Sequence, residues 1–176
     1  MTQRPVVKDD ELFSSFSTAH PYPCSTDDYQ AHLLDQYKVY VGMADKISDR
    51  RQTANSYFLA VNSGLLAFVG YVTIKDTSQF LWLLALAGMT LSYLWYRIVR
   101  SYRDLNSAKF LVIGQIEKRL PLRPFAAEWV ALGSGNDPKL YKPVTHVEAG
   151  VPWIFFVLHG FVLLRTLPWH AIRGWL

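Results

Sequence analysis

The chain has 176 residues, 51% of them hydrophobic, and 18 Lys and Arg against 14 Asp and Glu give a formal net charge of +4. That length ordinarily makes one domain, and the composition excludes a disordered or fibrous chain. The lone cysteine, Cys24, excludes an intramolecular disulfide and any cysteine-based metal cluster. The cations follow apolar stretches, as at a membrane surface, so nucleic acid is not expected as a partner.

Residues 1–26 carry Pro5, Pro21 and Pro23 and no periodicity, and they read as an irregular arm. No apolar core marks a secretory signal there, so the first membrane span is expected to act as its own insertion signal. From residue 27 to 54 the pattern is that of an amphipathic cytoplasmic helix. Thr26, Asp27 and Asp28 can cap its start, and Tyr29, Leu33, Tyr37, Tyr40, Ala44 and Ile47 recur at three- and four-residue steps. Its polar face carries Asp35, Lys38, Asp45, Lys46, Asp49 and Arg50, leaving the tyrosine stripe to pack on a partner helix.

A transmembrane hairpin follows over 55–99. Residues 55–74, NSYFLAVNSGLLAFVGYVTI, contain no acid or base and match the roughly 20 residues that cross a hydrocarbon core. With no proline before them, this span and the preceding helix can be one continuous helix. Lys75–Ser78 is a short polar turn, and residues 79–99, QFLWLLALAGMTLSYLWYRIV, form the second span, with Trp95, Tyr96 and Arg97 as interfacial anchors. Lys46, Arg50 and Arg51 precede the hairpin and Arg97, Arg100 and Arg103 follow it, while the turn is neutral. The N-terminus and both long flanks are therefore expected in the cytoplasm.

Residues 100–120 continue a helical apolar pattern through Tyr102, Leu105, Ala108, Leu111, Val112 and Ile116 until Pro121 and Pro124 stop it. Residues 121–150 read as a loop-rich connection, with PFAAEWVAL as a short helix and GSGNDP as a turn. In the C-terminal segment 151–176, the apolar stretch Val151–Leu164 is about 14 residues, a length that suits an interfacial, re-entrant or buried helix as well as a span. The predicted fold is thus all-α: an integral membrane helical hairpin with long cytoplasmic extensions and a third apolar C-terminal helix.

Chemistry is sparse. His20, His32, His146, His159 and His170 lie apart without metal-ligand spacing, and GSGNDP lacks the Lys-Ser or Lys-Thr of a phosphate loop, so no catalytic, metal or cofactor residue is assigned. His159, within an apolar run, suits a hydrogen-bonded structural imidazole better than a proton relay, and Glu148 suits a cap or salt-bridge partner. Helix packing is better marked. Ser56, Ala60 and Gly64 form a small-residue ladder with Asn62 beside it, and Gly88 and Ser92 form a second ladder. Two spans share one mutual face, so one ladder is left for another subunit. Arg97, Arg100 and Arg103 form a basic band suited to anionic lipid headgroups, with pairing to Asp45 or Asp49 as the alternative.

The runs DKISDRRQTANSYFLAVNS at 45–63, SYRDLNSAKFLVIGQIEKRLP at 101–121 and YKPVTHVEAGVP at 141–152 resemble the RipA-like bacterial membrane proteins. That resemblance covers about residues 27–165 and implies a small homo-octameric protein of the bacterial inner membrane. In architecture alone the chain also resembles the two-span SLATT effectors, which are proposed to form pores. Neither likeness brings catalytic residues. The expected function is a non-enzymatic homo-oligomeric scaffold in the bilayer with a cytoplasmic surface for a protein partner. A gated pore or membrane-perturbing effector is the alternative, and an enzyme acting on lipid comes third.

Overall fold

The computed structural model describes residues 12, 26–74, 81–135 and 144–167. Among the described residues four α-helices follow in chain order: α1 (Thr26–Ile74), α2 (Leu81–Glu117), α3 (Pro124–Ala131) and α4 (Val144–Thr166). Among the described residues there is no strand, so the fold is all-α. The rest of the N-terminal arm, the polar turn at Lys75–Ser78, the end of the GSGNDP turn and the tail beyond residue 167 lie outside the described residues.

Local sequence accounts for each boundary. The 49 residues of α1 contain no proline, and Gly42, Gly64 and Gly70 each cost only about 1 kcal/mol relative to alanine, so amphipathic segment and apolar span run on as one helix. Helix α2 has 37 residues, and its end tightens through bonds from Lys118, Arg119 and Leu120 N–H to the carbonyls three residues earlier, at 3.3, 3.0 and 3.2 Å. Pro124, whose fixed φ suits a first helical position, opens α3. Gly133, at φ 67°, follows its C-cap Leu132 in the left-handed conformation that glycine adopts without strain.

Helix α4 corrects one expectation. It starts at Val144, inside the stretch expected as loop-rich, and reaches 23 residues, because His146, Glu148 and Pro152 interrupt the apolar run without interrupting the helix. Pro152 leaves the Glu148 carbonyl without its usual donor, a defect that membrane helices tolerate. The stretches Asp28–Thr73, Leu81–Glu117 and Val147–Thr166 are each long and apolar enough to cross a membrane.

The chain divides into two compact units. One takes in the described residues of Met1–Ser48 and Asp104–Lys142, the other those of Asp49–Arg103 and Pro143–Leu176. In the first, the tyrosine-striped face of α1 packs as its periodicity predicts, with Leu33, Ala44 and Ile47 buried, and α2 contributes Ile113 and Ile116. In the second, Val69, Leu81, Ala85, Trp95 and Val99 form the apolar core, and three polar side chains, Asn62, Ser92 and His159, are wholly buried with them.

Candidate functional site

The second unit is a three-helix bundle whose interior is held by a ladder of polar and aromatic contacts. At one end Arg51 Nε of α1 faces Glu148 Oε2 of α4 at 3.6 Å, an ion pair too long for a hydrogen bond. Next, Trp95 Nε1 of α2 donates to Asn55 Oδ1 of α1 at 2.8 Å, with the Trp95 ring stacked on Phe58 and tilted against Phe155 of α4. Further along, Ser92 Oγ lies 2.9 Å from Asn62 Oδ1, to which it can donate, and 2.8 Å from the Gly88 carbonyl. Asn62 Nδ2 donates to the Phe58 carbonyl at 2.9 Å. These pairings make α1 and α2 antiparallel and set α4 parallel to α1.

Gly88 of α2 lies directly against His159 of α4. Its missing side chain is replaced by the His159 imidazole, and a Cβ at Gly88 would fall inside that ring's envelope. His159 is fully buried, yet among the described residues neither ring nitrogen has a hydrogen-bond partner, which differs from the expectation of a hydrogen-bonded histidine. Gly88 and Ser92 therefore close helices of one chain on each other. The other ladder faces outward: Ser56, Ala60 and Gly64 are exposed, and nothing lies within 4 Å of a Cβ built on Gly64. Asn62, which the sequence placed beside that ladder, points inward instead.

The basic band is divided. Arg97 and Arg100 are exposed and Arg103 is half-buried, and Arg100 donates to the Tyr96 hydroxyl at 3.0 Å with its guanidinium 5.8 Å from that ring's centroid. Trp95 is no headgroup anchor, being 2% exposed and bonded to Asn55. Tyr96 packs on Trp153 of α4, with ring centroids 5.3 Å apart.

The first unit holds a second polar centre that sequence reasoning missed. Glu117, fully buried at the end of α2, accepts from the backbone N–H groups of Phe125 and Ala126 at 3.1 and 3.3 Å. Helix α3 has no side-chain cap of its own at Arg123, so this carboxylate satisfies its orphan donors and meets the positive end of its dipole. Tyr37 of α1 donates its hydroxyl to the same Glu117 Oε1 at 3.0 Å. Burial, then the hydrogen bond to Glu117 and its negative charge, push the Tyr37 phenol up from 10.0 to about 12. Lys109 lies 4.3 Å from the centroid of the Tyr40 ring, a cation–π contact between the same two helices.

A model of the octameric membrane protein family, 8xMP, matches residues 34–168, which take in most of α1 and all of α2, α3 and α4. The chain belongs to the octameric membrane protein family. Membership in 8xMP together with the three long apolar helices makes it a multi-pass membrane protein, and the family is consistent with the RipA-like resemblance of its sequence. No curated protein and no solved structure matches the chain.

Proposed function

We propose that the protein is a non-enzymatic homo-oligomeric scaffold of the bacterial inner membrane, with its N-terminus and charged first unit in the cytoplasm. The observation that carries this reading is the match to an octameric membrane family along most of the chain. The bundle supports it physically. Only 11%, 28% and 11% of the residues in the three most apolar helix windows are buried within the chain, which leaves apolar surface for lipid and for neighbouring copies. The outward Ser56, Ala60 and Gly64 ladder is the membrane-level contact between subunits, because small residues let helices approach closely.

Since α4 runs parallel to α1 beside it, a crossing by α1 carries α4 across in the same sense, for three spans in all. Lys46, Arg50 and Arg51 before the first span and Arg97, Arg100 and Arg103 after the second favour the cytoplasmic side, where the arginines meet anionic headgroups at about 1 kcal/mol each. Reconstitution into liposomes tests scaffold against pore. A stable oligomer that leaves a trapped ion gradient intact is the expected result, and rapid dissipation of the gradient would replace the scaffold with a channel.

A further inference from the structure

We infer that His159 is a proton-binding site near the middle of the membrane, reached from the end of the bundle where Arg51 meets Glu148 and closed toward the other end. The site lies within one chain and is independent of assembly; only its opening toward the cytoplasm rests on the topology proposed above. An ionisable side chain at membrane depth is costly and marks an ion or proton site. His159 is wholly buried and, among the described residues, neither ring nitrogen has a hydrogen-bond partner. The edge of the ring that carries both nitrogens, Nδ1–Cε1–Nε2, is the part that faces Gly88. Gly88 stands midway along the second span, residues 79–99.

The polar groups at this level suit the protonated ring. Neutral imidazole has one N–H donor and one bare acceptor, whereas imidazolium has two donors and no acceptor. One turn along α2 from Gly88, the single Ser92 proton serves Asn62 Oδ1 or the Gly88 carbonyl, and Asn62 Nδ2 is bonded to the Phe58 carbonyl. Oxygen acceptors are thus in excess, and a ring that takes a proton on its bare nitrogen, going from neutral to singly positive, supplies a donor for them. Among the described residues the other charged and titratable groups of the three spans point elsewhere. Tyr57, Tyr71, Tyr93, Arg97 and Arg165 are exposed, and Tyr96 packs on Trp153. The inward pair Arg51 and Glu148 is about 16 Å distant along α4, at about 1.5 Å per residue. Polarity along the interior is also one-sided. From His159 toward Glu148 come Ser92 with Asn62, then Trp95 with Asn55, then the Arg51–Glu148 pair. Glu148 Oε2 is buried without a hydrogen bond and Pro152 frees the Glu148 carbonyl, so two acceptors stand at this mouth. In the opposite direction the buried residues are Val69, Leu81 and Ala85. The rings of Phe58, Trp95 and Phe155 lie between mouth and site, so a proton passes with transient water at their polar edge and no open channel results.

Nuclear magnetic resonance of the histidine tests the proposal. The full chain carries His20→Gln, His32→Gln, His146→Gln and His170→Gln, and its remaining histidine is labelled with the heavy nitrogen isotope. It is placed in liposomes with the N-terminus outward, an orientation checked by complete removal of an N-terminal tag with external protease. With the interior held at about pH 8, the outside is taken from about pH 8 to about pH 5, the window in which histidine titrates. The bare-nitrogen resonance should vanish and both nitrogens should become protonated, with helicity unchanged. A His159 that stays neutral throughout would overturn the proposal. Protonation that appears only as helicity is lost, the behaviour of a structural histidine, would overturn it as well. Protonation only after the interior is acidified would overturn the route and put the opening at the other end. The expected signal is the same for a monomer as for an octamer, so failure of this site and failure of assembly are told apart.

Discussion

At Gly88 a single hydrogen atom decides whether α4 can reach α2. The His159 ring occupies the space where any side chain would begin, so Gly88→Ala should destabilise the bundle by about 1–3 kcal/mol through overpacking. His159→Ala in the same chain should recover most of the loss, as measured by thermal unfolding in detergent. A second polar centre makes a claim about pH. The folded chain holds the Tyr37 proton more tightly than an unfolded chain does, so that stabilisation is complete below pH 10 and is lost as the pH rises through about 12. Wild type should exceed Tyr37→Phe in stability by about 1 kcal/mol below that window, and denaturant titrations across it should show the advantage vanish. These residues were partly legible. Small residues at 88 and 92 announce a packing face, but spacing within one helix does not say which neighbour fills it. Trp95 beside Tyr96 and Arg97 looks the same in sequence whether its indole faces headgroups or donates to Asn55.

Elements were more legible than contacts, because periodicity and proline act locally. The uninterrupted run from Thr26 to Ile74, the stop before Pro121 and the short helix from Pro124 follow from such rules. The start of α4 did not, since its first turns hold His146, Glu148 and Gly150 and lack an apolar pattern. Glu117 was invisible for another reason: a carboxylate that caps a helix eight and nine residues further along the chain has no fixed spacing to find. The exposed ladder of α1 gives the element-scale test. Among the described residues no atom of another element lies within 4 Å of a Cβ built on Gly64, so Gly64→Leu should leave the bundle's own fold intact. Between copies, the same leucine would hold two backbones apart. Its expected signature is therefore loss of assembly with unchanged helicity, read by sedimentation and circular dichroism on the same sample.

For the whole molecule, three apolar helices and the family match establish a multi-pass membrane protein. Its bundle combines polar interhelical bonds inside with apolar and small residues outside, an arrangement suited to neighbours that are helices as well as lipid. Each buried bond contributes on the order of 0.6–1 kcal/mol in a membrane, so Ser92–Asn62 and Trp95–Asn55 fix register more than they stabilise. Assembly is the central claim, and mass measurement of the purified full-length chain in lipid nanodiscs tests it most directly. The account predicts one dominant species with the mass of eight chains, retained on dilution, and a single chain per nanodisc at every concentration would contradict it.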